Sequence, residues 1–321
     1  MQGMVEVHGR RLRIVPPAGA RAFIADVTDW MHDPWPVSGP FELELPRGAY
    51  LEYAFLDERG EPMPDPEAPA PARNPWRPYA AAVWTGGARP PEAPSGPLLG
   101  RTHRLRAGGR RLIVYEPPAG PAASLLVLDG VAYYRIAKLA HVAEALWREG
   151  RSVPLRLVFS EPEDRDREYR FDPALERHLL DEVLPATARE LGAAPLWGVW
   201  GASLGGLSAL WLGLEHPEVF PRVAAQSPAL RAVPGGRDAR RDPELLSERY
   251  AESDRGPERI ALQVGRLEWL LAPARRFAAV LAERGTRHEY REYPSGHNWT
   301  TWRTGLADGL VDLFGSDLDV R

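Results

Sequence analysis

A chain of 321 residues, 44% hydrophobic and 26% charged, has the composition of a folded globular protein and the length for two domains. Its net charge of −4 offers no basic field to a nucleic acid, and the absence of cysteine excludes disulfides, thiolate metal sites and a cysteine nucleophile. "MQGMVEVHGRRLRIV" has no apolar h-region and no stretch approaches membrane-spanning length, so a cytoplasmic chain with no membrane partner is the expectation.

Two regions differ along the chain. Up to about residue 85, the short runs "RLRIVP", "RAFIADV", "PFELELP", "AYLEYAFLD" and "AAAVWTG" alternate with turn residues. That spacing predicts a small antiparallel, Ig-like β-sandwich over 1–90. "GGARPPEAPSGPLLG" then predicts a linker at 91–100, because Pro and Gly continue neither helix nor strand. Over 101–321, the apolar runs "RLIVYE", "SLLVLD", "LRLVFS", "LWGVWG", "RVAAQS", "IALQVG" and "HEYREYP" alternate with helical patterns at 133–149, 172–191, 204–216, 273–284 and 299–314. Continuous apolar strands separated by helices predict an α/β fold, with a mostly parallel sheet covered on both faces.

One junction carries chemistry. "LWGVW" reads as a buried strand and "LGGLSALWLGLEH" as a helix, with Ser203 between them in G-x-S-x-G. A nucleophile elbow needs this order of elements, since the turn tolerates only small neighbours and lifts the serine oxygen above the sheet. A plain helix N-cap is the other use of a serine there.

A serine nucleophile in this chain order takes its acid next and its histidine last. Among the histidines after Ser203, His216 closes the elbow helix and suits a C-terminal cap, while His288 opens a strand and suits a structural role. His297, in "YPSGHNWTTWR", follows the last strand and is the expected base. Asp238, Asp242, Glu244 and Asp254 fall in the polar stretch 235–258, whereas Glu268 closely follows a strand, so Glu268 is the expected acid. The oxyanion hole needs two backbone N–H groups. Leu204, after the nucleophile, supplies one, and the turn in "SLLVLDGVAYY" supplies the other from Val131, with Gly130 beside it.

The segments "LLVLDGVAYY", "EDRDREY", "LLDEVLP", "GASLGGLSAL", "HPEVFPRVAAQSP", "LQVGRLEWLL" and "SGHNWTTWRTGL" run in one order over 101–321. In that order the chain resembles the enterochelin (ferric enterobactin) esterases and their relatives in the putative-esterase family of α/β-hydrolases. The resemblance implies the α/β-hydrolase fold and a Ser203–Glu268–His297 triad that works without metal or organic cofactor. It also implies that Arg165, Glu168 and Trp299 contact a small-molecule ester. Two departures stand out: "AQSPALRAVPGG" lacks an aromatic run suited to catechol rings, and Ser295 stands where glycine is expected. An arginine at position 165 suits an oxygen-rich substrate, although Arg165, Arg167 and Arg170 also have Glu161, Glu163, Asp164 and Asp166 to pair with.

The stretch "FIADVTDWMHDPWPVSGPFELELPRGAYLEYAFLDERGEPMPDPEAPAPARNPW" is similar to early-set, glycogen-binding-like sandwiches. That similarity implies either a lid, removable without loss of the hydrolase fold, or a sugar-binding module using Trp30, Trp35, Trp76 and Trp84. The expected function is thus siderophore ester hydrolysis. The alternatives are a feruloyl- or acetyl-type carbohydrate esterase and a non-catalytic carbohydrate-binding protein.

Overall fold

The computed structural model describes residues 4–72, 74–86, 92, 94–193, 197–236 and 240–316. Residues 87–90, residues 91 and 93 of the expected linker, Leu196 of the expected elbow strand, and Asp238 lie outside the described residues. The chain divides into two compact units.

The first unit starts with nine strands: β1 (Met4–His8), β2 (Arg11–Val15), β3 (Ala22–Ala25), β4 (Trp35–Pro36), β5 (Phe41–Glu44), β6 (Tyr50–Leu56), β7 (Pro62–Met63), β8 (Ala70–Pro71) and β9 (Ala81–Trp84). One sheet has the order β1-β2-β5 and the other β4-β3-β6-β9-β8, with β7 on β6. In β2, Leu12 and Ile14 are buried between exposed Arg11 and Arg13, the period of two that a half-buried strand requires. They meet Phe23, Leu51, Tyr53 and Phe55 in a common core. All of β6 is buried, so its other face is covered too. There Ala54 and Leu56 join Ile24 and Trp30, and Glu52 lies on the same face by alternation.

This unit is not confined to the N-terminal third. It also contains residues 265–271 and 292–304, which the sequence partition assigned to the hydrolase. The reason is packing: Leu267 enters the sandwich core, and Tyr50 N–H donates to Pro294 O at 2.9 Å.

The second unit is built on β10 (Arg101–Ala107), β11 (Arg110–Glu116), β12 (Ala123–Val127), β13 (Leu155–Ser160), β14 (Trp197–Ala202), β15 (Arg222–Gln226), β16 (Arg259–Gly265) and β17 (His288–Tyr293). They form one sheet of order β10-β11-β13-β12-β14-β15-β16-β17. Pairing is antiparallel from β10 to β13 and parallel through β13, β12, β14, β15 and β16. Strands such as "ASLLV" and "RVAAQ" are buried throughout, as helices on both faces demand. This is the α/β-hydrolase architecture. The edge strand β10, "RTHRLRA", has charges that hide its periodicity and keep its open edge from pairing with other chains.

The helices depart from expectation in several places: Leu245–Glu252 is a helix within the polar stretch 235–258, and a π segment at His178–Val183 interrupts 172–191. Lys138, at φ 60°, ends a short π turn and restarts the chain as Leu139–Arg148. Gly305 splits the last helix into Trp299–Thr304 and Leu306–Phe314. The far end of the linker is held in place, because Glu144 accepts Leu99 N–H, Gly100 N–H and the Tyr115 hydroxyl. Among the described residues no helix is long and apolar enough to cross a membrane.

Candidate active site

Ser203 joins β14 to the helix Leu204–Glu215 with φ 57° and ψ −121°. A non-glycine residue at such a φ costs about 1–3 kcal/mol and persists only when its surroundings enforce it. Here they do. Ser203 N–H donates to Gln226 O at 2.9 Å, and Ser203 O accepts Leu207 N–H and Ala229 N–H at 3.0 Å. The turn is so tight that a Cβ at position 201 would lie 2.1 Å from Gly205 O. Gly201 of G-x-S-x-G is therefore a steric necessity. Leu204 N–H opens the helix, whose N-terminal end favours developing negative charge.

The turn after β12 lies against this elbow, since a Cβ at position 205 would come within 3.0 Å of Asp129 Oδ2. Asp129 is left-handed (φ 52°), and its N–H donates to the Tyr169 hydroxyl at 2.9 Å. Its carboxylate takes Arg165 Nε and Nη2 in a bidentate pair at 2.8 Å each, and Nη2 also reaches Ala202 O at 3.3 Å. Asp129 escaped the sequence reading. Its only local signal is an Asp-Gly pair after a strand, and its partner lies 36 residues away.

That pair changes the reading of Arg165. With Nε and Nη2 committed to Asp129, its main work is to tie the 129–131 turn to the end of β14. Arg165→Ala should therefore lower kcat on p-nitrophenyl acetate and on larger aromatic esters alike, by about 10-fold or more as the turn loosens. Steady-state kinetics on both esters checks this, and a KM increase confined to the larger ester would restore a substrate contact.

The expected oxyanion donors are present, but one is engaged. Val131 N–H donates to Glu161 Oε1, and Gly130 is buried at the start of the same turn. Burial, and then the charge of Asp129, push the Glu161 carboxyl up against the lowering effect of the Val131 bond.

Two expected substrate contacts are internal instead. Glu168 is fully buried, pairs with Arg110 at 2.8 and 3.2 Å, and accepts Glu163 N–H and Asp164 N–H at 3.3 Å, which makes it the staple of its loop. Trp299 is 4% exposed and packs edge-on to Trp302, with ring centroids 4.8 Å apart, and against Trp76. Neither side chain offers a surface to a ligand. Arg167 pairs with Asp172 at 2.6 Å, and Arg170 lies 3.9 Å from Asp166.

His297 and Glu268 belong to the first unit. His297 Nδ1 is 2.5 Å from Glu268 Oε2, and Glu268 Oε1 accepts Gly265 N–H at 2.5 Å. The Glu268 side chain is fully buried, so its carboxylate has fixed partners and no competing water. Nδ1 is thus the ring nitrogen that faces the acid. His216 caps its helix and lies 2.7 Å from Glu176 Oε1, while His288 Nδ1 is 2.8 Å from Thr286 O. Of the sandwich tryptophans, Trp30 is 5% exposed beneath Arg77 and Trp84 packs at a tilt against Tyr50, whereas Trp35 and Trp76 are 37% and 51% exposed.

Relatives can now be set beside this geometry. The Iron(III) enterobactin esterase of Dickeya dadantii (strain 3937) is 31% identical over 272 residues, which cover 77% of this chain and 60% of that protein. The Iron(III) salmochelin esterase of Escherichia coli O6:H1 is 24% identical over 254 residues, covering 74% of this chain and 61% of that one. The matched region thus spans less than two thirds of either relative. The enterobactin esterase from Shigella flexneri, solved with 2,3-di-hydroxy-N-benzoyl-serine, shares the fold at TM-score 0.72 and 19% identity over 97% of this chain and 95% of its own. A ferulic acid esterase gives TM-score 0.54 and 16% identity over 66% of this chain and 96% of its own. A family model described as "Putative esterase" matches residues 109–313, more than half of the chain, and to that family this protein belongs.

Proposed function

We propose that this chain is a serine esterase that hydrolyses siderophore esters of the enterobactin type through an acyl-enzyme on Ser203. The observation that carries the esterase reading is the strained elbow of Ser203 at a helix N-terminus. The siderophore part draws on the enterobactin and salmochelin esterases among its relatives.

In this mechanism His297 Nε2 takes the Ser203 Oγ proton as Oγ attacks the ester carbonyl carbon. Glu268 holds the imidazole through Nδ1 and stabilises the imidazolium. Leu204 N–H and Val131 N–H receive the charge on the carbonyl oxygen, each such donor being worth about 3–4 kcal/mol in the transition state. For Val131 to serve, the Glu161 carboxylate has to leave its N–H, and the incoming carbonyl oxygen replaces it. The alcohol then departs with the proton from Nε2, and water, deprotonated by His297, attacks the acyl carbon and frees Ser203.

Specific hydrolysis tests the substrate class. kcat/KM for ferric enterobactin should exceed that for a feruloyl sugar ester by about 100-fold or more, as a site built for specific polar contacts allows. A feruloyl preference would overturn the siderophore reading and keep the esterase. Glu268→Gln tests the acid, with kcat expected to fall by about 10⁴-fold. A wild-type rate there would mean that a Ser–His pair suffices.

A further inference from the structure

The first unit buries two carboxyl side chains beside the loop that carries His297. Asp26, 3% exposed, accepts Glu52 N–H (2.9 Å) and Asn298 Nδ2 (3.0 Å) at Oδ2, and Trp30 Nε1 (3.2 Å) at Oδ1. Glu52, 1% exposed, lies 3.0 Å from the Tyr50 hydroxyl and accepts Asn74 Nδ2 at 2.7 Å. Burying such groups is expensive unless they are paired, so a sandwich that needed only packing would carry apolar residues here. Burial raises both carboxyls, and the charge of Asp26 raises Glu52 further, whereas the Glu52 N–H bond lowers Asp26. Arg77 lowers both, and Glu268 adds a smaller push upward on Asp26.

What Asp26 holds is the residue after the histidine. Asn298 is fully buried, and its Oδ1 accepts Thr301 N–H at 3.0 Å and the Ser295 hydroxyl at 3.3 Å. Both sides of the His297 loop thus close on one amide, and that amide is anchored by Asp26. Contact is so close that a Cβ at position 296 would lie 2.1 Å from Asp26 Cγ, which only glycine avoids. A second connection runs from Asp26 to Trp30, whose ring lies 4.0 Å under the Arg77 guanidinium, and Arg77 Nη1 reaches His297 O at 3.4 Å.

We propose that Asp26 of the N-terminal sandwich is a positioning residue for His297, acting through Asn298 and through Trp30 and Arg77 to fix the 295–298 loop. It rests on the reading of His297 as the catalytic base. The sandwich is then part of the catalytic apparatus, with no need for any contact to substrate.

The test uses the full-length chain and p-nitrophenyl acetate. Asp26→Asn and Asn298→Ala should each lower kcat about 100-fold, the loss expected for a small misplacement of a reacting group, with KM within about twofold. The double variant should lose little more than either single one, because both changes release the same hold. Asp65 is the structural control: it is 5% exposed in the same sandwich and accepts the Tyr53 hydroxyl at 2.7 Å. Asp65→Asn should lower Tm and leave kcat alone. Wild-type kcat in Asp26→Asn, multiplying losses in the double variant, or an equal kcat loss in Asp65→Asn overturns the proposal. If Asp26→Asn does not fold, Asn298→Ala carries the same expectation and the same refutation. An active His297→Ala enzyme overturns the base assignment and the proposal with it, whereas an inactive one beside a wild-type-like Asp26→Asn overturns the proposal alone.

Discussion

Ser203→Ala is expected to lower kcat by about 10⁶-fold while the protein keeps its fold and its Tm. Alanine retains the Cβ and can follow the same backbone. The bonds that enforce φ 57° run through the main chain, from Ser203 N–H to Gln226 O and from Leu207 N–H and Ala229 N–H to Ser203 O. What disappears is the oxygen that bonds to the acyl carbon, and no other group at the elbow can replace it. His297→Ala should cost nearly as much, because nucleophile and base act as one unit and either loss leaves the other idle. Circular dichroism and melting check the fold, and turnover of p-nitrophenyl acetate together with labelling by a fluorophosphonate checks the nucleophile. Residual activity within about tenfold of wild type would mean that another residue attacks the ester.

The features legible in the sequence are those whose cause is local. The elbow could be read because a sharp strand-to-helix turn excludes a side chain at position 201, and that exclusion is written within five residues. The buried strands could be read because a sheet covered on both faces makes its strands near-continuous apolar runs. The pairing of Glu268 with His297 could be expected because one closely follows β16 and the other β17.

Features made by distant residues meeting were not legible. Nothing around Arg165 reveals that Asp129, 36 positions earlier, takes two of its nitrogens, so its charge looked available to a substrate. The resemblance made Trp299 a contact residue, yet the packing of Trp302 and Trp76 buries it. Val131 N–H looked free because backbone donors carry no sequence signal, and Glu161 is joined to it only by the fold. Asp26 and Asn298 are separated by 272 positions, and a lone Asp after a strand reads as a turn residue until its partner is seen.

The same long-range contacts decide what becomes of the chain when the sandwich is removed. Sequence alone predicts that deletion of residues 1–95 leaves a foldable hydrolase that has lost substrate selectivity. The structure leads instead to a fragment without measurable esterase activity and with a markedly lower Tm. Residues 265–271 and 292–304 pack as part of the N-terminal unit, so the deletion strips their surroundings. Leu267 leaves an apolar core, at a cost of about 1.5–3 kcal/mol for such a side chain. Pro294 O loses Tyr50 N–H, Asn298 Nδ2 loses Asp26, and Trp302 and Trp299 lose the Trp76 ring. Unpaired buried polar groups cost about 1–3 kcal/mol each, a large share of a total stability of about 5–15 kcal/mol. The chain avoids that penalty by letting these segments open to water, and His297 and Glu268 are on them. A 96–321 fragment should thus be inactive even toward p-nitrophenyl acetate, which needs no selectivity domain. Adding back a separately expressed 1–95 polypeptide should restore part of the rate if the lost contacts are the cause. A fragment with wild-type kcat on the small ester and weakened turnover of the natural ester would show that residues 265–304 hold their geometry unaided, and that the sandwich is a lid after all.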